Sequence, residues 1–174
     1  MNKRIFSVLA VLLIAAMVIS PVSAGAAVKL SGIQFSLGSL IASGYASGLG
    51  NTDVTVVLDG TGIPVISCIN YGGNVVPGQS SPKVTATGTQ TLDGGDPLRK
   101  NGRSPFFTET DDPETIAWDI AGCPNSNWTG HIDFIFWTDA TISVYSTSTG
   151  ALLAAKSYTC NTTRYPASVT CTEK

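Results

Sequence analysis

The sequence is poor in charge and in residues that favour helices. Of its 174 residues, 13% are charged, two are methionine and three are glutamate. A chain so short of strong helix formers is neither a helical bundle nor a coiled coil. Ten basic residues stand against twelve acidic ones. This balance excludes nucleic acid as a partner, because nucleic-acid binders present a basic surface.

Long apolar runs are also scarce, and the clearest one lies at the start of the chain. Ile5–Ile19 follows the basic pair Lys3-Arg4 and precedes the small residues Val22-Ser23-Ala24. This order is typical of a cleaved secretion signal. We therefore predict a signal peptide over residues 1–27 and a single domain over residues 28–174. Because no later stretch is long and apolar enough to span a bilayer, we expect a secreted, extracellular product without membrane contact after cleavage.

The four cysteines lack the C-x-x-C spacing of metal sites, and the chain has one histidine. An even number of cysteines in an exported chain implies two disulfides, with three arrangements open. We predict Cys68–Cys123, which ties a loop to a strand, and Cys160–Cys171, which crosses a terminal hairpin. A Cys68–Cys160 link would instead favour a true immunoglobulin arrangement.

Apolar residues alternate with serine and threonine through much of the chain, as in Val54, Val56 and Leu58. A period of two with one polar face is typical of half-buried antiparallel strands. We predict an all-β fold: a two-sheet antiparallel β-sandwich, immunoglobulin-like in architecture, with a jelly roll as the alternative. The predicted strands lie near residues 28–37, 39–46, 52–59, 63–70, 83–92, 105–110, 129–138, 141–147 and 151–160, with a short tenth at 168–173.

Two local patterns make more specific predictions. Gly60-Thr61-Gly62 separates two alternating runs and predicts a turn between strands. In the run from Ile132 to Trp137, the alternation places Ile132 with Phe134 and Phe136 on one face and Ile135 with Trp137 on the other. Both faces are apolar, which predicts a central strand packed on both sides.

Several segments are similar to those of a known group of proteins. They are Phe35–Gly44, Thr52–Leu58, Gly122–Asn125 together with Asn127-Trp128, and Phe136–Ile142. In these segments the chain resembles a group of small uncharacterised exported bacterial all-β proteins, often present as several paralogues. The resemblance implies export, a β-fold and paired cysteines. It implies no catalytic residues.

Acidic residues crowd around Pro113: Glu109, Asp111, Asp112 and Glu114. Calcium prefers such oxygen ligands, so these four residues are the candidate metal ligands, although the D-x-[DN]-x-[DN]-G motif is absent. The alternatives are a solvated acidic turn and, since paired carboxylates hydrolyse glycosides, a hydrolytic site. We expect no other cofactor.

The chain offers little catalytic machinery. His131 and Asp133 lie two residues apart on one predicted strand, but the sequence contains no G-x-S-x-G nucleophile motif. We therefore predict a protein without enzymatic activity.

The candidate ligand-binding residues are aromatic and amide side chains near predicted turns: Tyr71, Asn125, Asn127 and Trp128. They predict a secreted binding or adhesion module whose partner is an extracellular polysaccharide or another copy of the chain. The alternatives are a structural component of an extracellular matrix and a small secreted hydrolase.

Overall fold

The computed structural model describes residues 27–174, so the predicted signal peptide lies almost entirely outside the described residues. The strands are β1 (Lys29–Leu37), β2 (Leu40–Ser47), β3 (Val54–Asn70), β4 (Val75–Pro77), β5 (Val84–Leu92), β6 (Arg103–Glu109), β7 (Thr115–Ile116), β8 (Trp128–Ser146), β9 (Leu152–Arg164) and β10 (Ala167–Glu173). One short helix, α1 (Trp118–Ala121), lies among them. Within this part of the chain, no helix is long and apolar enough to cross a membrane.

The strands form two antiparallel sheets, as the alternating pattern predicts. The first sheet has the order β1-β2-β6. The second has the order β10-β9-β8-β3-β4, with β5 also pairing with β3 and β7 with β8. The two sheets pack as an all-β sandwich, and most core-facing positions of β2, β3 and β6 are buried.

Two strands of the second sheet are much longer than predicted. The predicted strands 52–59 and 63–70 are one 17-residue strand, β3, and 129–138 and 141–147 are one 19-residue strand, β8. The prediction of a turn at Gly60–Gly62 is therefore wrong. A Cβ atom at Gly60 would lie 2.8 Å from the Trp137 ring, and one at Gly62 would lie 2.5 Å from Ile135. The glycines make room for large side chains of β8 inside a continuous strand.

Irregularities in β8 also change which side chains share a face. The register between β3 and β8 shifts between Val65 and Ile66, where Phe134 and then Ile132 are the partners. A β-bulge of this kind reverses the alternation locally. It places Ile132 against the core, whereas Phe134 and Phe136 are opposite Val65 and Ile63. The predicted grouping of Ile132 with the two phenylalanines is wrong.

The prediction that β8 packs on both faces is wrong as well. Ile135 and Trp137 are buried on one face. On the other, Phe134 and Phe136 stay half-buried and contact each other edge to face, with ring centroids 5.0 Å apart. The cross-strand neighbour of Phe136, Ile63, is 39% exposed. The strand is central in its sheet, but this apolar face remains partly open to solvent.

The main hydrophobic core, called here the sandwich core, joins the two sheets. Its buried side chains come from β1, β2 and β6 on one side and from β3, β5, β8 and β9 on the other, with Leu49 added by the loop after β2. They are Leu30, Leu40, Ala42, Ala46, Leu49, Val54, Val56, Leu58, Val84, Ala86, Leu92, Phe106, Ile135, Trp137, Ala140, Ile142, Val144, Tyr158 and Cys160.

Beyond the sandwich core, the far halves of β3 and β8 continue as an extension made of residues 63–77 and 115–134. The segment containing β7 and α1 covers one face of this pair of strands. Its core is small, because the buried hydrophobic residues there are Ile66, Cys68, Ala121 and Cys123. The extension is therefore held by a few contacts and a disulfide.

Both predicted disulfides are confirmed. Cys68 of β3 bonds to Cys123 after α1, with the two Cα atoms 5.7 Å apart. Cys160 and Cys171 are register partners on β9 and β10 and form the second bond. Two disulfides fit an oxidising, extracellular environment.

Candidate binding surface at the tip of the extension

The first part of the tip is the turn that follows β3. Asn70 organises it, because its side-chain oxygen accepts hydrogen bonds from the backbone N–H groups of Gly72 (3.0 Å) and Asn74 (2.9 Å). This is the local bonding by which asparagine stabilises turns. Tyr71 stands at the outside of the turn and is 98% exposed. The hydrogen bonds of the turn thus fix the backbone around Tyr71, while the Tyr71 side chain itself packs against almost nothing.

The second part of the tip is the turn that precedes β8. The Asn125 side-chain oxygen accepts a hydrogen bond from the Asn127 N–H (3.0 Å), and the Asn125 carbonyl accepts one from the Trp128 N–H (3.1 Å). Asn125 and Asn127 are exposed. Trp128 is half-buried and packs against the core of the extension. It therefore has a structural role in addition to any contact with a ligand.

The structure brings the two turns to the same end of the molecule. Asn70 and Trp128 are Cα partners in the antiparallel pair, so Tyr71 and the asparagines of the other turn extend beyond the same end of the ladder. The Cys68–Cys123 disulfide lies just behind them. All four candidate ligand-binding residues are thus gathered on one surface, called here the tip.

The tip carries no charge. Residues 67–82 and residues 120–130 contain no aspartate, glutamate, lysine or arginine. The functional groups are phenol, indole and amide, which combine flat contact area with hydrogen-bond donors and acceptors. Recognition loops of other binding proteins use the same combination of tyrosine, glycine and asparagine. Such a surface suits a neutral ligand rich in hydroxyl groups.

The acidic residues around Pro113 lie elsewhere, beside the β1–β2 turn. Asp112 accepts a hydrogen bond from the Thr110 hydroxyl (2.6 Å). Burial raises the pKa of Asp112, the Thr110 hydrogen bond opposes this, and the neighbouring Glu109 and Asp111 raise the pKa further. Among residues 27–174, no three histidine, cysteine, aspartate or glutamate side chains form a group that could hold a metal ion. The four candidate ligands thus do not fit a calcium site in this arrangement.

A small cavity lies near these carboxylates. It has a volume of about 200 Å³ and lies between the β1–β2 turn, the acidic loop and β8. Asp112, Glu114 and Asp133 line it together with apolar side chains. The sequence indicated the first two carboxylates as neighbours; only the fold adds the third.

The histidine candidate has a serine opposite it. Ser67 of β3 is the Cα partner of His131, and the Ser67 hydroxyl donates a hydrogen bond to Asp133 at 2.5 Å. Within the described part of the chain, no hydrogen bond joins His131 to either residue. A nucleophilic triad requires the histidine to bond with both the serine and the carboxylate. The three side chains are neighbours but are not arranged in that way.

A second surface, on the outside of the first sheet, was not recognised from the sequence as a site. Arg103, Pro105, Phe107 and Glu109 alternate along β6 and are all exposed. On β2, Tyr45 is 40% exposed, and the Arg103 guanidinium lies 3.8 Å from the centre of its ring. The signal was present in the alternation of β6, because every second residue is large or charged. It could be interpreted only once the buried face of β6 was known.

Comparisons with known proteins add little. No family model matches the chain, and no curated protein matches it. Among solved structures, a crystal structure of Bacteroides uniformis beta-glucuronidase aligns with 78% of this chain at 10% sequence identity and a TM-score of 0.30. The aligned region is 12% of that chain, so this protein spans a small part of its length. At that TM-score the likeness carries no argument about fold or function.

Proposed function

We propose that the protein is a secreted, non-catalytic binding module and that the tip binds an uncharged extracellular polysaccharide. The observation that carries the proposal is Tyr71, which is 98% exposed on a turn fixed by Asn70. Tyrosine offers a sugar both a ring face and a hydroxyl, and at this position both are open to a ligand. The absence of charge at the tip favours a neutral polymer over an anionic one.

The rigidity of the tip supports the same proposal. Hydrogen bonds from Asn70 and Asn125 fix both turns, and the Cys68–Cys123 disulfide anchors the strands behind them. A surface that is already ordered loses less conformational entropy on binding. This matters for polysaccharides, because their own flexibility makes binding costly.

The test is retention of the disulfide-bonded protein on insoluble cellulose, starch and xylan, with alginate as an anionic comparison. We expect retention on at least one neutral polymer, with little dependence on salt. Tyr71→Ala should weaken it roughly fivefold or more, which is the effect of losing one important contact residue. Asn127→Ala should also weaken it, because the Asn127 side chain is exposed while the turn is held by Asn125.

The matched control is Tyr165→Ala. Tyr165 is 84% exposed but lies at the β9–β10 turn, away from the tip. Its loss should leave retention unchanged. No retention on any neutral polymer, or equal retention by the Tyr71 and Tyr165 variants, would refute binding at the tip. Turnover of a glycoside, ester or peptide that a single substitution abolishes would refute the non-catalytic role.

A further inference from the structure

The outer face of the first sheet has an ordered distribution of charge. Along β6, the exposed side chains run from Arg103 through Pro105 and Phe107 to Glu109. Ser47 of β2 is the register partner of both Arg103 and Lys29 of β1. Lys29 is therefore a second cation at the same end of the face as Arg103. The face is therefore positive at one end, apolar in the middle and negative at the other end.

Neither terminal charge of this face forms a salt bridge within the described residues. The two salt bridges among residues 27–174 are Lys156–Glu173 and Lys174–Asp139. Arg103 contacts the Tyr45 ring instead of a carboxylate. Glu109 is exposed at the end of β6. Both charges remain available to a partner.

The middle of the face is apolar and open. Phe107 is 57% exposed and Tyr45 is 40% exposed. Phe107 is the register partner of Ser43, and Tyr45 is the partner of Pro105, so the two rings are diagonal neighbours on adjacent strands. Diagonal pairs on one face of a sheet lie within reach of each other when the side chains are large. They form one continuous apolar strip between the charged ends.

We propose that this face binds a second copy of the same chain through a two-fold axis. The axis lies in the plane of the interface, perpendicular to β6, at the level of Phe106. It places Arg103 of each copy opposite Glu109 of the other and Phe107 of each copy on Pro105 of the other. In such an interface each surface must be complementary to itself, and this order of charges is complementary to its own reversal.

A parallel arrangement of the two copies is disfavoured by the same charges. It would place Arg103 against Arg103 and Glu109 against Glu109, and like charges in an interface are costly. A nonpolar or singly charged partner would leave one end of the face unmatched. A second copy is the partner that neutralises both ends at once.

The size of the face predicts a weak dimer. The first sheet has three strands, and neighbouring strands lie about 4.8 Å apart, so the contact area falls at the low end for specific interfaces. We expect association that depends on concentration, with the monomer prevailing in dilute solution. This inference is independent of polysaccharide binding, because the tip and the outer face of the first sheet share no residue.

The first test is sedimentation equilibrium of the disulfide-bonded protein over a wide concentration range. Wild-type protein should show a monomer–dimer equilibrium. Arg103→Glu and Glu109→Arg should each weaken dimerisation roughly tenfold or more, because symmetry repeats each like-charge contact twice. Asp119→Arg, an exposed charge reversal on α1, is the matched control and should dimerise as wild type does.

The decisive test is to mix the two single variants. Arg103→Glu retains Glu109, and Glu109→Arg retains Arg103, so a mixed dimer has opposite charges at both contacts. The mixture should associate as strongly as wild type, although each variant alone associates much more weakly. The double variant with both reversals should also recover dimerisation with itself.

Three results would overturn the proposal. Wild-type protein that stays monomeric at millimolar concentration excludes the dimer. Single reversals that associate as wild type does exclude this face as the interface. A mixture of the single variants that stays monomeric excludes the antiparallel arrangement. Retention on polysaccharide, measured in dilute solution, should be unchanged by Glu109→Arg whichever of these results is obtained.

Discussion

The sandwich core and the extension show two ways of holding strands together. The sandwich core contains nineteen buried hydrophobic residues, eighteen of them from seven strands and Leu49 from the loop after β2. The extension core contains four, and two of those are the cysteines of one disulfide. A small apolar cluster seldom stabilises a structure alone, and a covalent link is the usual remedy. The disulfide thus replaces burial where the second layer is only a short covering segment.

The extension carries the candidate binding surface. Recognition requires exposed aromatic and polar groups, which conflicts with building a large core around them. The Cys68–Cys123 disulfide resolves this conflict in part, because it holds the extension together without a large core.

This disulfide joins residues 55 apart in sequence. A link of that span constrains the unfolded chain more than a short hairpin link does.

The largest expected effect lies in the sandwich core. Trp137 is 2% exposed and fills the space left by Gly60. Trp137→Ala should lower the free energy of unfolding by about 3–5 kcal/mol, because it leaves a large cavity. Urea denaturation followed by circular dichroism measures this. Trp118→Ala, at a position 39% exposed, is the control and should cost much less. Equal losses of unfolding free energy would show that packing stabilises the sandwich core no more than it stabilises the extension.

Removing the disulfide of the extension should have the next largest effect. Cys68→Ala combined with Cys123→Ala should cost about 4 kcal/mol in the chain-entropy model, against about 3 kcal/mol for the Cys160 and Cys171 pair, whose sequence separation is 11. Hydrogen exchange should show protection lost first in residues 63–70 and kept in residues 54–58. Uniform loss of protection would show that the extension does not unfold separately.

A smaller effect is expected where the covering segment meets β8. A Cβ atom at Gly130 would lie 2.6 Å from the Ala121 Cβ and 2.7 Å from Ile116. Gly130→Ala should therefore cost about 1–3 kcal/mol, because it overpacks the extension core. Gly95→Ala is the matched control, since a Cβ atom there meets nothing within 4 Å. Thermal unfolding of both variants tests the contact, and similar melting temperatures would contradict it.

The smallest effect concerns Asp112 and depends on pH. Its pKa in the folded protein is raised from 3.8, first by burial, so folding favours the protonated form. The stability that this provides is complete below the unfolded pKa and declines as pH rises through the folded pKa. Asp112→Asn should thus stabilise the protein at neutral pH by less than about 1 kcal/mol, since water screens a half-buried group. Near pH 3 the variant and wild type should unfold at the same urea concentration, and a stabilisation of equal size there would contradict the assignment.

The sequence predicted which residues form the candidate site, but only part of what each residue does there. Tyr71, Asn125 and Asn127 were recognised because aromatic and amide residues near turns are exposed, and the structure exposes all three. Trp128 was expected to serve the same surface, yet it also packs on the extension core. A tryptophan next to a turn gives no local signal of what lies beneath it, because that depends on a segment folded over from elsewhere in the chain.

The sequence by itself determined the all-β class and the approximate strand positions, and it indicated two disulfides with three arrangements open. Alternation and turn residues act locally, so they can be interpreted without knowing the partners of a strand. The tertiary structure alone decided that β3 and β8 are continuous, and that Ile132 turns toward the core. Glycines at 60 and 62 are required by the Trp137 and Ile135 side chains of the neighbouring strand, and the bulge is a property of the strand pair. Such features depend on what lies opposite, which no single stretch of sequence contains.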